Sequence, residues 1–301
     1  MRSLLALLLF VPLAQDEAAF VVARDRGFPG LAREKEGRWN GPFFFVALAD
    51  PQFGMMTDPD RERRNAEAAV GHINRLKPRF VMVLGDLTHA VSGEKGHEEQ
   101  VAKVKRIFGK VDRGIPLLLL PGNHDLAKKV TAEALSAYRK SFGDDYYSFW
   151  TGGVQGLVLN SHLYWNPAEA PEELARQEEW LAAQLAAARK EPPKHLIVFQ
   201  HQPWFLKTPD DADVYDVIPW VRRGPALAAL KEAGVRTVFA GHYHGNVRAR
   251  DGDLEIVVLG SLGKAIRKDP SGLCIVEVYA DRLRHAYHAL DAVPESVRLE
   301  P

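Results

Sequence analysis

The chain has 301 residues, 46% hydrophobic and 26% charged, the balance of an ordinary folded protein, and it contains no repeat, coiled coil or low-complexity stretch. Its 39 basic and 39 acidic residues cancel, which leaves no electrostatic footprint for nucleic acid or an anionic membrane. The lone cysteine, Cys274, excludes an internal disulfide and leaves the redox compartment undecided.

In chain order, Met1-Arg2-Ser3 precede an apolar run from Leu4 to Leu13. A basic start and a short apolar core describe a secretory signal peptide over residues 1–14, too short to span a bilayer. Such a leader implies a secreted or periplasmic protein; a buried or amphipathic segment of a cytoplasmic protein is the alternative. An N-terminal extension (15–42), a single large domain (43–290) and a C-terminal tail (291–301) follow. Helical spacing of Ala66, Ala69, Val70, Ile73 and Leu76 predicts a helix over 60–77, stopped by Pro78. Further helices are predicted over 98–112, over 131–142 with Thr131 as cap, over 172–190 and over 225–233. Gly152-Gly153 marks a hairpin between strands 146–150 and 154–160. The last third turns to strands, at 254–259, 273–279 and 283–290. Helix–strand alternation followed by strands points to a β-sandwich with helices outside.

Five short apolar runs each end in residues able to bind a metal. They are FFFVALA before Asp50, FVMVL before Gly85-Asp86, IPLLLLP before Gly122-Asn123-His124, HLIVFQ before His201 and RTVFA before Gly241-His242-Tyr243-His244. Such runs read as buried strands, and open α/β sheets gather their functional groups at the carboxyl ends of strands. Two divalent cations about 3.5–4 Å apart can clamp both oxygens of a phosphoryl displacement. Holding them so close needs a shared anion, and Asp86 is the natural bridge. Nitrogen and oxygen donors without thiolate favour Mn, Fe, Zn, Co or Ni, and exclude an iron–sulfur cluster.

At these positions the chain resembles the calcineurin-like metallophosphoesterase superfamily. That family's ordered signature of D-x-H, G-D, G-N-H-D/E, H and G-H-x-H is matched by Asp50-Pro51-Gln52, Gly85-Asp86, Gly122-Asn123-His124-Asp125, His201 and Gly241-His242-Tyr243-His244. The strings WNGPFFFVALADPQFG, GDDYYSFWTGGV and VFAGHYH are similar, more narrowly, to the calcineurin-like phosphoesterase domain-containing protein 1 group. The resemblance implies an α/β (α+β) fold, a four-layer αββα sandwich of two mixed β-sheets flanked by helices. It assigns Asp50, Gln52, Asp86 and His244 to one metal, and Asp86, Asn123, His201 and His242 to the other. It makes His124 the general acid or phosphate-orienting group, held by Asp125. Gln52 departs from the pattern, since most of the superfamily has His there and an amide oxygen is the weaker donor.

Taken singly, each motif has a plainer reading, because Gly-Asp and Gly-Asn are ordinary turn dipeptides. Their order after strands carries the weight. His89, Asn123 and Tyr243 are candidate substrate contacts, with a surface histidine as the alternative for His89. Val111-Asp112-Arg113-Gly114 reads as a helix stop, and Asp210-Asp211-Ala212-Asp213 as a solvated loop near the mouth of the site. Lys264, Arg267 and Lys268 read as a basic loop, with an extra phosphate site as the second choice. His72, His97, His162, His195, His285 and His288 lack supporting spacing and read as structural or solvated.

The expectation is therefore a binuclear-metal hydrolase of phosphate esters, first a phosphomonoesterase acting on a phosphorylated substrate such as a phosphoprotein. A phosphodiesterase or nucleotide pyrophosphatase is the second reading. A metal- or phosphopeptide-binding module with weak catalysis is the third. Oligomeric state is not legible.

Overall fold

The computed structural model describes residues 20–127 and 129–300. The apolar run expected to act as a signal peptide lies outside the described residues. In chain order the strands are β1 (Phe43–Leu48), β2 (Val81–Leu84), β3 (Leu117–Leu120), β4 (Tyr147–Thr151), β5 (Val154–Val158), β6 (His195–Phe199), β7 (Thr237–Ala240), β8 (Val247–Asp251), β9 (Leu254–Val258), β10 (Gly272–Val278) and β11 (Leu283–Ala289). The helices are α1 (Arg33–Glu36), α2 (Pro59–Leu76), α3 (His97–Phe108), α4 (Asn123–Leu126), α5 (Ala132–Phe142), α6 (Ser161–Trp165), α7 (Pro171–Lys190) and α8 (Trp220–Glu232).

Two mixed sheets stack face to face. One has five strands in the order β11-β10-β1-β2-β3, and the other has six in the order β4-β5-β6-β7-β9-β8. Within the first, β1, β2 and β3 run parallel; within the second, β5, β6, β7 and β9 do. Strand residues alternate between faces, so β1 sends Val46 and Leu48 to the helices α2, α3 and α5 while Phe45 and Ala47 enter the space between the sheets. That division explains why the strands look uniformly apolar in sequence: both faces are buried. Phe45 stacks on Phe80 at 4.5 Å and meets Phe199 and Phe239 of the opposite sheet edge-on at 5.8 and 5.7 Å. A third core lies between the second sheet and α7 and α8, completing the expected αββα layering.

Local signals set the helix ends. Asp58 accepts from the Asp60 and Arg61 amides to start α2, and Lys77 leaves it in a left-handed conformation before Pro78. Thr131 caps α5 through the Ala134 amide at 3.2 Å. The Val111–Gly114 segment is a turn after α3, closed by the Ile115 amide on the Asp112 carbonyl. One helix begins earlier than its sequence suggests: α8 starts at Trp220 rather than 225, because Asp213 accepts from the Trp220 amide at 2.7 Å. Pro225 is tolerated inside it. Strand β8, with its exposed alternation of Arg248 and Arg250, carries no apolar run and is visible only as the edge partner of β9.

The flanking segments pack onto this sandwich. Ala23, Phe28 and Leu31 join the core between the sheets, and Val293 joins the core under α2. No helix among the described residues is long and apolar enough to cross a membrane.

Candidate metal centre

Asp50, Asp86 and Asn123 follow β1, β2 and β3, while His201 and His242 follow β6 and β7. These five strands end on one rim, where the two sheets bring their loops together. The Gln52 amide donates to the Asp86 carbonyl at 2.7 Å, the Gly241 amide to the His201 carbonyl at 3.0 Å, and the Leu262 amide to the Ala49 carbonyl at 2.8 Å. Asp50, Gln52, Asp86, His242 and His244 all have positive φ, between 40° and 68°. Non-glycine residues hold that conformation at a cost of roughly 1–3 kcal/mol each, and such strain concentrates at functional sites.

The side chains converge. Asp50, Asp86 and His244 are buried and each offers a donor atom within 4.8 Å of the others. His201 Nε2 lies 3.3 Å from Asp86 Oδ1 and 3.1 Å from Asn123 Oδ1, and His244 Nε2 lies 3.5 Å from Asp50 Oδ1. Backbone carbonyls choose the nitrogen each imidazole presents. His201 Nδ1 donates to Leu84 at 2.8 Å and His244 Nδ1 to Lys264 at 2.8 Å, leaving Nε2 of both toward the carboxylates. His242 is reversed, with Nε2 donating to the Tyr215 carbonyl at 3.2 Å and Nδ1 left over. Fixing the second nitrogen in this way is how proteins orient metal-binding histidines.

Two glycines permit the crowding. A Cβ at Gly122 would lie 2.0 Å from Asp86 Oδ1, and one at Gly241 would lie 2.8 Å from Asp50 Oδ2. Gln52 is buried beside these groups, and its Oε1 has no hydrogen-bond partner among the described residues. An orphaned buried acceptor costs about 1–3 kcal/mol, and a cation would relieve it. Paired carboxylates, oriented imidazoles and a spare amide oxygen, without thiolate, fit a hard or borderline divalent cation.

Burial would raise the Asp86 carboxyl, but His201, His124 and His242 outweigh it and hold the group well below the usual range. Burial raises Asp50. Burial opposes charge on His201, yet Asp86 and Asp50 push it up to about 9, so a cation entering there displaces a proton. Burial, reinforced by His201, drives His242 down to about 3, which keeps it neutral.

His124 and His89 stack with ring centres 4.8 Å apart, and His124 Nδ1 donates to the His89 carbonyl at 3.0 Å. The expected Asp125–His124 pair is therefore not formed. The Asp125 carboxylate instead accepts from the amides of Leu87, Thr88 and Gly122 and from the Thr88 hydroxyl. Burial and the nearby Asp86 charge raise its pKa to about 6, and its hydrogen bonds tie the Asp86 loop to the Asn123 loop. Tyr243, a candidate substrate contact, packs its ring on the core outside the second sheet, 4.3 Å under the Arg267 guanidinium. Asp211 accepts from the amides of Leu206, Lys207 and Thr208, so the acidic stretch shapes the loop before α8 from within. Lys264 and Lys268 are exposed at their positions in the loop between β9 and β10.

Tyr215, in the loop between β6 and α8, was not legible as a site residue. Its hydroxyl accepts from Asn123 Nδ2 at 3.0 Å and its ring lies 4.9 Å from His242. Nothing in its neighbourhood has a motif's spacing.

A buried carboxylate pair ringed by oriented imidazoles at the mouth of a double-sheet sandwich defines a metal-dependent phosphoesterase. Residues 45–246 match the family model for calcineurin-like phosphoesterases, and the chain belongs to that family. It is 40% identical to human serine/threonine-protein phosphatase CPPED1, over 94% of this chain and 95% of that protein, and 38% identical to the zebrafish (Danio rerio) protein of the same name, over 94% and 96%. Among solved structures, a dimetal phosphatase from Danio rerio aligns with a TM-score of 0.61 at 15% identity, covering 83% of this chain and 97% of that one. The purple acid phosphatase PPD1 of yellow lupin aligns at 0.62 and 14% identity, covering 85% and 52%. These two similarities concern the fold.

Proposed function

We propose that the protein is a phosphomonoesterase of the serine/threonine phosphoprotein type that works with two divalent cations. The observation that carries this reading is the buried Asp50–Asp86–His244 group, on a chain 38–40% identical to the serine/threonine-protein phosphatases named above over nearly its whole length. Asp50, Gln52, Asp86 and His244 would hold one cation, and Asp86, Asn123, His201 and His242 the other. Cations there supply Lewis-acid polarisation of the phosphoryl oxygens.

The remaining work falls to the chain itself. With Nδ1 committed to the His89 carbonyl, His124 presents Nε2. A proton on that nitrogen can pass to the departing serine or threonine alkoxide. Asn123 Nδ2 can steady a phosphoryl oxygen, and the His89 ring backs His124. Asp125 contributes by fixing the two loops that bear Asp86 and His124.

Metal analysis of the purified protein, joined to assays on p-nitrophenyl phosphate, its bis-ester and a phosphoserine peptide, tests this. Turnover of both monoesters with two ions per chain is expected. Preference for the bis-ester, or no turnover at full metal occupancy, would overturn it. We propose in addition that residues 1–14 direct export, so that protein from its native host begins near Gln15 outside the cytoplasm; an intact Met1 on cytoplasmic material would refute that.

A further inference from the structure

One group at the mouth of the centre has no part in the family signature. Tyr215 lies in the loop between β6 and α8 and is 55% exposed, beside Val214 at 52%. It is nonetheless held in place from several sides. Its carbonyl accepts from His242 Nε2 at 3.2 Å, its ring lies against His242, and Trp165 at the end of α6 meets it edge-on at 5.6 Å. The loop is braced by Asp211 through three backbone amides, by Asp213 on the first amide of α8, and by the buried Arg223, which donates to the Trp204 and Asp211 carbonyls.

The hydroxyl accepts from Asn123 Nδ2 at 3.0 Å, while Asn123 Oδ1 faces His201 Nε2 at 3.1 Å. The amide is thereby split, its oxygen turned inward and its NH2 group turned to the phenol. Among the described residues the phenol oxygen makes no other hydrogen bond, so its own proton is uncommitted. A hydroxyl that accepts one hydrogen bond becomes a better donor for the next.

We infer that Tyr215 is a substrate-binding residue whose O–H donates to a non-bridging oxygen of the phosphoryl group, alongside the second N–H of Asn123. The inference rests on the phosphatase reading, and it moves the aromatic contact to substrate from Tyr243 to Tyr215. A hydrogen bond to a charged oxygen is the stronger kind, and a phosphate dianion offers several acceptors to a phenol and an amide set side by side.

Tyr215→Phe tests it, because the ring against His242 and the backbone carbonyl both survive. Inorganic phosphate is titrated calorimetrically into metal-loaded wild-type and variant protein, with metal content and thermal unfolding measured on each. The expected result is phosphate binding weakened by about tenfold or more, a raised KM for a phosphoserine peptide, and unchanged metal content. Unaltered phosphate affinity with both metals in place would overturn the inference. So would loss of metal, which would reduce Tyr215 to a support for Asn123 and His242. Wild-type protein that binds phosphate yet leaves monoesters intact would end the phosphatase reading, and the titration would still decide the role of Tyr215.

Discussion

Asp86 and His124 sit within one hydrogen bond of each other, the His124 amide donating to Asp86 Oδ1 at 2.9 Å, yet their expected roles separate cleanly. Asp86 is nearly isosteric with Asn, so Asp86→Asn should keep the fold while removing the charge proposed to bridge two cations. One or both metals should be lost, and activity should fall by at least about 10²–10³-fold, the scale of losing one preorganised charge-stabilising group. Two ions retained with near-normal turnover would show that no bridge exists. His124→Asn should instead keep both metals. General acid catalysis contributes about 10²–10⁴-fold, and it matters most for a poor leaving group. The variant should therefore lose heavily on phosphoserine and less on p-nitrophenyl phosphate; equal losses would point to phosphate orientation, which the His89 stack would also serve. His124 and Asp86 were readable from sequence because Gly-Asp and Gly-Asn-His follow apolar runs. The partner of Asp125 was not, because the resemblance implied His124, whereas three amides from two loops reach the carboxylate.

The elements that matter most are the short loops at the ends of β1, β2, β3, β6 and β7. Their sequences put a glycine where backbone from one loop must touch a carboxylate of another. Gly122 has φ −103° and ψ −176°, an extended conformation open to any residue, so its importance is steric. With Asp86 Oδ1 at 2.0 Å from the position of a Cβ, Gly122→Ala must push the Asp86 and Asn123 loops apart. Overpacking of this kind costs about 1–3 kcal/mol. Thermal unfolding should register that loss, and metal affinity should fall with it because the two loops contribute facing donors. A variant with unchanged stability and metal content would mean that the loops are more pliable than their hydrogen bonds imply. The loop before α8 behaves differently. Beyond His201 it has no apolar periodicity and no glycine signature, and its shape comes from Asp211, Asp213 and Arg223, so Tyr215 escaped any pattern.

At the scale of the whole molecule, the centre opposes the stability of the sandwich that holds it. Asp50, Asp86 and Asp125 are buried close together, and five residues of the rim are strained. Cations that bind only the folded state should offset this by about 2.7 kcal/mol at a hundredfold excess over Kd. Chelation should accordingly lower Tm by several degrees. The gap should depend on pH in a definite direction. In metal-free protein His201 is raised from 6.5 to about 9, so its contribution is complete below about 6.5 and is lost as pH rises through 9. With a cation held by His201, metal-loaded protein would already have given up that proton. The difference in Tm between loaded and chelated protein should widen from pH 6.5 to 9, and a constant gap would remove His201 from the cation's neighbourhood. What the sequence determined by itself was everything encoded locally: buried strands, helix caps, the glycine turns, and the residue types that end each strand. From these the layered fold and the set of residues at the rim were legible, down to Gln52. What only the tertiary structure decided was pairing across long separations. Which nitrogen each histidine presents depends on carbonyls at Leu84, Lys264 and Tyr215, up to 117 residues away. Whether Tyr243 or Tyr215 faces the mouth depends on how two sheets dock, and no local spacing carries that information, because a loop's direction is set by what it packs against.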